Sequence, residues 1–414
     1  MLSVALVSDF FLPHRGGVEY HVFNLARCLQ TRGLNVIVIT SRYKEFVGVR
    51  QSEGVKTYYL PYLKMVGNMC ICPTAVGCIP VLRRILLEEK INIVHAHQAT
   101  SSLGHEATIL AQTMGLSTVY TDHSLFGFTS VADIHINKVL SMFLPQCAHV
   151  ICVSHTNKEN LLLRAGVMPS RVSVIPNALV SDDFQPDPSR RHSDRVVIVT
   201  VSRLFFRKGI DLLMEVVPAV CAWNPSVEFL IGGDGPKRME LEAMIEECNL
   251  HGRVTLLGSL APYEVRAALC RGHIYLNPSL TEAFCIAILE AASCGMLVVS
   301  TNVGGVSEVL PPDMIHLCPP NVHNLVHTLQ QAILSVDSQP DPWETHRRVA
   351  ALGYNWERVA EKTVAVYKQL APPQPLLERL TLAHGTGGGL NVWAHTLLLV
   401  LLHVVVVVLD LTGL

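Results

Sequence analysis

The sequence predicts an α/β fold of two Rossmann-like parallel-sheet domains facing a cleft, followed by one C-terminal transmembrane helix. Three observations carry this. Short aliphatic runs alternate with helical periodicities through residues 1–370, a polar, proline-containing stretch at Ser181–His192 interrupts the rhythm, and 20 mostly apolar, uncharged residues occupy Leu390–Leu409. Continuously apolar strands separated by helices indicate parallel sheets covered on both faces. The 414 residues suffice for two or three domains with substantial cores.

The first run, Ser3–Ser8, has no basic residue ahead of it and is short, so it reads as a buried first strand rather than a secretory signal. Val18–Arg32 has helical spacing and ends at Gly33. Further strands are expected at Asn35–Thr40, Ile91–Ala96, Ser117–Thr121, His149–Val153 and Val172–Ile175, within an N-terminal acceptor-side domain at 1–185. Ser181–His192 then reads as an interdomain connector. A second series, Val196–Ser202, Val227–Ile231, Val254–Leu257, His273–Asn277 and Leu297–Ser300, defines a C-terminal nucleotide-sugar domain at 195–345. A helical segment at 346–370, a Pro/Gly-rich connector at 371–389 and the apolar span at 390–410 complete the chain. Two such α/β units bind ligands outside the carboxyl ends of their strands.

Twenty residues at 1.5 Å rise cover about 30 Å, the thickness of a bilayer hydrocarbon core. Lys368 and Arg379 precede the span and nothing basic follows it, which leaves the large domains in the cytosol by the positive-inside bias. Asn391, His395 and His403 are polar positions that could face a partner helix. The 32 Lys and Arg nearly balance 34 Asp and Glu, so no global positive field exists to drive nucleic-acid binding. Only 16% of residues are charged and half are hydrophobic, which excludes a disordered chain. The 12 cysteines are dispersed among apolar neighbours, as reduced core thiols facing the cytosol would be. Cys70, Cys72 and Cys78 cluster ahead of His95 and His97, but without the paired two-residue spacings of a metal site. The apolar stretch around Tyr62, Leu63, Met65, Val66, Met69 and Ile71 could touch a membrane or other subunits, or pack internally.

Four groups stand at expected strand ends. Gly16 and Gly17 follow the first strand and open a helix, where bare backbone and free N–H groups suit an anion; a tight turn alone would need the same residues. Arg203, Arg207 and Lys208 surround Gly209 and could neutralise a diphosphate, Arg203 as a planar fork and Lys208 as a point charge, or form a solvated basic loop. Glu282 and Glu290 are eight apart in an apolar segment closed by Gly295. On one regular helix they would differ by about 80° and about 12 Å, too far for a carboxylate dyad. Glu282 therefore belongs in the loop before the helix and Glu290 one or two turns inside it. That separation suits gripping two hydroxyl-bearing parts of an extended ligand, against the alternative of a cap plus a satisfied core acid. His123, beside Asp122, could donate a hydrogen bond to a sugar or phosphate oxygen or transfer a proton, or be structural. His95 and His97 are weaker versions of the same case. Gly232-Gly233-Asp234-Gly235-Pro236 resembles a phosphate loop but better fits a strand-to-helix turn.

Gly16-Gly17, Arg203 with Lys208-Gly209, and Glu282 with Glu290 together resemble the retaining GT-B glycosyltransferases of family 4. Val7–Phe11, Tyr120–Phe128 and Ser279–Cys285 are similar to the subfamily that transfers N-acetylglucosamine from UDP-N-acetylglucosamine (UDP-GlcNAc) to phosphatidylinositol. The resemblance covers essentially the whole chain. It implies the first step of GPI-anchor biosynthesis, on the cytosolic face of the endoplasmic reticulum membrane, with further membrane subunits as partners. It also implies roles. Arg203 and Lys208 would hold the diphosphate with Gly16 and Gly17 bordering it, and Glu290 the ribose. Glu282 and His123 would form the catalytic face around the transferred sugar. No cofactor and no metal are implied, the two cations supporting the departing UDP. The chain ends a few residues past the span, which leaves little for a lumenal tail. A mannosyltransferase acting on a dolichol-linked acceptor and a catalytically silent scaffold are the competing readings.

Overall fold

The computed structural model describes residues 2–14, 16–62, 64–66, 70–71, 77–127, 131–371, 375–385 and 390–412. The chain divides into two compact units, Met1–Pro176 with Trp356–Leu414, and Asn177–Asn355. In the first unit β1 (Ser3–Val7) leads through α1 (Gly17–Thr31) to β2 (Asn35–Ser41), then the hairpin β3 (Gly48–Ser52) and β4 (Val55–Leu60). A short ribbon, β5 (Lys64–Val66) with β6 (Cys70–Ile71), precedes α2 (Ile79–Glu88), β7 (Ile93–His97) and α3 (Ser102–Thr113). There follow β8 (Ser117–Asp122), α4 (Val131–Phe143), β9 (His149–Cys152), α5 (His155–Ala165) and β10 (Val172–Val174).

Eight strands form one sheet in the order β10-β9-β8-β7-β1-β2-β4-β3. It is parallel except for the antiparallel edge pair β3–β4. The sequence reading missed that hairpin: Gly48–Ser52 is solvent-exposed without an aliphatic run, and in Val55–Leu60, though mostly buried, Lys56 and Thr57 break the run. Central strands, buried on both faces, are the ones an apolar run betrays. α1 buries Val22, Leu25, Ala26 and Leu29, the i, i+3, i+4, i+7 stripe of a helix lying on a sheet. α3 starts where the Ser101 side chain accepts from Gly104 N–H, and Asp9, at the end of β1, accepts from Ser101 Oγ and Leu103 N–H. This ties strand to helix by N-terminal capping.

The second unit runs β11 (Val196–Val201), α6 (Ile210–Trp223), β12 (Val227–Gly232), α7 (Arg238–Glu247), β13 (Val254–Gly258), α8 (Pro262–Leu269), β14 (Ile274–Asn277), α9 (Ile286–Ser293), β15 (Leu297–Thr301), β16 (Ile315–Cys318), α10 (Val322–Leu334) and α11 (Pro342–Ala351). Its six-stranded sheet, β13-β12-β11-β14-β15-β16, is wholly parallel. The core gathers Ile198, Phe229, Ile231, Ile274 and Val299 from strands with Leu213, Val217 and Leu325 from helices. The polar stretch expected to be a free connector belongs to this unit. Arg266 donates to Gln185 O, and Arg191 donates to the carbonyls of Cys294 and Gly295.

The chain then returns to the first unit through α12 (Trp356–Lys368), α13 (Leu376–Gly385) and α14 (Leu390–Thr412). The helical segment expected at 346–370 comprises the end of α11, which closes one unit, and α12, which joins the other. α12 packs on α1, with Trp356 edge-on to Tyr20 and His21 and the Tyr367 hydroxyl on His95.

The expected C-terminal span does form one helix, α14. Among the described residues, no helix is long and apolar enough to cross a membrane. α14 instead lies on α3, with Leu399, Leu402 and Val406 buried in the cluster containing Ile79, Leu82, Leu103 and Leu110. Leu397, Leu401, Val404 and Val408 remain exposed on the same helix. Arg379, read from sequence as a cation flanking a span, is buried and donates to Gln146 Oε1 and Thr113 Oγ1. Desolvation pulls its pKa down to about 10. The side chains of Asn391 and His395, and residues Leu63, Met69 and Cys72, lie outside what the structure describes.

Candidate active site

In the second unit the loop after β11 and the loop after β14 meet. Gly209 has φ +69°, and a Cβ there would stand 1.8 Å from Pro278 O, so only glycine lets the two loops touch. Leu280 N–H donates to Arg207 O across the same contact. The result is an ion pair, Lys208 Nζ to Glu282 Oε1, at 2.5 Å. Ser279 Oγ also lies 2.7 Å from Glu282 Oε1 and 2.8 Å from Asn277 Oδ1, and Asn277 Nδ2 donates to Ser300 Oγ. The Glu282 carbonyl accepts from Gly305 N–H. Backbone and side chain are therefore both fixed. Burial pulls the Lys208 ammonium down while Glu282 more than offsets it, leaving the pKa raised and the charge secure; nearby Arg203 opposes slightly. Lys208 and Glu282 are held against each other by two loops distant in sequence, which no spacing in the chain reveals.

Arg203 is exposed, its guanidinium 5.0 Å above the Phe205 ring, and has no carboxylate partner among the described residues. Glu282 lies in the loop before α9 and Glu290 in the second turn of that helix. α9 opens at Cys285 with φ +75°, a left-handed residue that turns the loop into the helix. Glu290 makes no side-chain hydrogen bond or ion pair among the described residues, and the atoms enclosing it raise its pKa from 4.5 to about 7. Glu290 is half-buried, and a carboxylate there without a protein donor suits a ligand that brings hydroxyls. Gly233, at φ +130°, would place a Cβ 1.8 Å from Ser202 O, so the glycine loop after β12 packs against the basic loop.

In the first unit Gly16 and Gly17 start α1, but Gly16 has extended backbone, and a Cβ there would meet only the end of Glu19. Gly17 faces open space. Both leave room beside the helix start without any conformational demand for glycine. Asp122 does not pair with His123: it is fully buried, accepting from Arg164 at 2.9 Å and Asn157 at 3.1 Å. His123 Nε2 is instead 3.3 Å from His97 Nδ1, with the His21 ring at 4.6 Å. Burial, then the charges of His21 and His95, hold the His123 pKa well below its usual value, so the ring is neutral. His95 is satisfied on both nitrogens, by Tyr367 Oη and Thr121 Oγ1 at 2.7 Å each. Sequence reasoning missed His21, Ser279, Asn277 and Arg164. Only His21 left a signal, as a polar residue next to the apolar stripe of α1.

The profile of the family described as PIGA (GPI anchor biosynthesis) matches residues 41–130, and that of Glycosyl transferases group 1 matches residues 181–348. A human protein named as a subunit of phosphatidylinositol N-acetylglucosaminyltransferase is 48% identical over 386 residues, 91% of this chain and 79% of its own length. Its Arabidopsis thaliana namesake is 49% identical over 382 residues, 92% of this chain and 85% of its own. The chain belongs to this PIGA family of phosphatidylinositol N-acetylglucosaminyltransferase subunits. Another relative, the gpi3 subunit of Schizosaccharomyces pombe, is 46% identical over 411 residues, 98% of this chain and 89% of its own. Among solved structures, sucrose-phosphate synthase from Thermosynechococcus elongatus superposes with a TM-score of 0.74 at 22% identity, over 89% of this chain and 99% of that one. Anabaena HepE in complex with UDP gives 0.69 at 17%, over 89% and 100%. These likenesses carry the GT-B glycosyltransferase fold that the family's members share.

Proposed function

We propose that the chain is a retaining transferase that moves N-acetylglucosamine from UDP-GlcNAc to phosphatidylinositol, the first step of GPI-anchor biosynthesis. Family membership sets the reaction. The observation that carries the site is the fixed Lys208–Glu282 pair with Glu290, unpartnered among the described residues, in the following helix. A nucleotide-sugar diphosphate would take Lys208 and the free fork of Arg203, charge-assisted contacts that strengthen as the UDP leaves. Glu290 would accept the ribose hydroxyls. Glu282 Oε1 is already occupied by Lys208 and Ser279, so its second oxygen would accept from the transferred sugar. His123, from the first unit, would face the reacting side, and Gly16 and Gly17 would give the diphosphate room.

In the step itself the bond from the sugar's C1 to the β-phosphate oxygen breaks and its electron pair leaves with UDP. The inositol hydroxyl forms the new bond on the same face, and its proton passes to the departing phosphate oxygen. The reading asks for no metal at the diphosphate, because the two side-chain cations supply the positive charge.

We also place the chain at the endoplasmic reticulum membrane with its catalytic part cytosolic and α14 as the attachment segment, in a complex with other membrane subunits. The acceptor is a lipid, and tethering restricts the search for it. The exposed leucines and valines of α14 support a bilayer contact. To span, the helix would leave α3 and exchange the protein contacts of Leu399, Leu402 and Val406 for lipid contacts of similar polarity. Protease protection of a C-terminal epitope in sealed microsomes separates a spanning helix from one lying on the surface.

The deciding experiment supplies membranes, with co-expressed partner subunits, with labelled UDP-GlcNAc or GDP-mannose and phosphatidylinositol. Labelled glucosaminyl lipid from UDP-GlcNAc, abolished by Glu290→Ala, is the expected result. Transfer from GDP-mannose would instead favour the mannosyltransferase reading, and absence of UDP binding the silent scaffold.

A further inference from the structure

Three imidazoles in the first unit converge. His21 comes from the second turn of α1, His97 ends β7, and His123 follows β8. One ligand-capable nitrogen from each lies within 4.8 Å of the other two. His21 and His97 are buried and His123 is half-buried. His95 stacks on His97 at 4.2 Å but has spent both its nitrogens, and so forms a wall.

Two buried polar atoms in this cluster have no hydrogen-bond partner among the described residues. One is His97 Nε2; the other is Nε1 of Trp356, whose ring stands edge-on to His21 at 5.2 Å. Leaving such atoms unsatisfied is costly. An oxygen ligand brought into the cluster would relieve that cost at Trp356 Nε1.

We propose that His21, His97 and His123 form a site for a divalent transition-metal ion, with Zn2+ the best fit. Neutral imidazole nitrogens suit zinc and its neighbours, whereas calcium and magnesium require oxygen ligands. Zinc binds histidine nitrogen at about 2.0–2.1 Å in tetrahedral geometry, which puts two ligand atoms about 3.3 Å apart. The separation of His97 Nδ1 and His123 Nε2 is 3.3 Å. The third nitrogen, from His21, lies within 4.8 Å of both. Three histidine ligands leave the fourth position open to water or an entering oxygen. The unpaired Trp356 N–H suits an oxygen there. Two of the three histidines sit at ends of paired central strands, a scaffold rigid enough to hold a ligand set. The ion would lie in the first unit, whereas the charge compensation proposed for the diphosphate uses Arg203 and Lys208 of the second. The inference shares only His123 with the transferase reading.

The test uses the full chain, purified without chelator. Mass spectrometry of its metal content should find close to one zinc per chain after dialysis. Titration of the stripped protein with Co2+ should give the intense visible bands of a tetrahedral site, displaced by Zn2+. His21→Gln and His97→Gln should each weaken Zn2+ binding by at least about 10-fold. The intact protein's cobalt spectrum needs no variant to fold. No zinc retained and no tetrahedral cobalt bands would overturn the proposal, leaving the histidines as a hydrogen-bonded network. Undiminished zinc in a folded His21→Gln/His97→Gln double variant would overturn it equally, by placing the ion elsewhere.

Discussion

Glu290 shows what a single half-buried carboxyl does to the unliganded protein. Its pKa is raised by burial from 4.5 to about 7, so the folded state keeps a proton that the unfolded chain releases. Stability therefore falls as pH rises from about 4.5 to about 7 and levels off above that. Glu290→Gln should flatten this part of the melting temperature–pH profile. Ribose hydroxyls prefer the ionised form, so UDP binding should tighten as pH rises through about 7 in the parent protein. Calorimetric titration at several pH values should find that trend absent in the Gln variant. Lys208→Ala removes a charge-assisted contact worth about 1.5–3 kcal/mol, which predicts roughly 10–100-fold weaker UDP binding in the same assay. Asp122 is different in kind. It lies next to His123 in sequence yet points into the core, paired with Arg164, both side chains fully buried. Asp122→Ala strands the guanidinium and should cost about 3–5 kcal/mol in urea unfolding. If Asp122 oriented His123 instead, activity would fall with little loss of stability.

At the scale of elements, the site of the second unit is an agreement between two loops. Gly209 permits it, because its φ of +69° and the carbonyl 1.8 Å from an added Cβ exclude any side chain. Gly209→Ala should cost at least about 1–3 kcal/mol and loosen the Lys208–Glu282 pair, read as weaker UDP binding alongside an earlier urea midpoint. The glycine was conspicuous in sequence, but as a neighbour of cations rather than a hinge between β11 and the loop after β14. Strand and helix identities were more legible. Aliphatic runs marked the central strands because burial on both faces forbids polar residues there. The exposed hairpin strand Gly48–Ser52 and the edge strand Ile315–Cys318, with one exposed and one half-buried residue, carry no such run and escaped notice.

At the scale of the whole molecule, each unit must close its own core with whatever segments reach it. The first unit does so with α12, α13 and α14, returned from the end of the chain. Leu399 is fully buried against α2 and α3 neighbours. Leu399→Ala should therefore destabilise this unit by about 2–5 kcal/mol, measured by thermal unfolding. A helix standing free in lipid would give almost no change.

The sequence alone determined that the chain is built from two parallel α/β units, that cations cluster after the first strand of the second unit, and that two glutamates stand in a loop and in the helix that follows it. These are local consequences of periodicity, burial and turn chemistry, and such rules act over a few residues. Only the tertiary structure decided that Glu282 meets Lys208, that Asp122 belongs to Arg164, that His21 joins His97 and His123, and that the apolar C-terminal helix packs on α3. Each joins segments tens to hundreds of residues apart. Such contacts arise when sheet order and core packing bring the segments together, and composition cannot distinguish an apolar helix that faces lipid from one that faces protein.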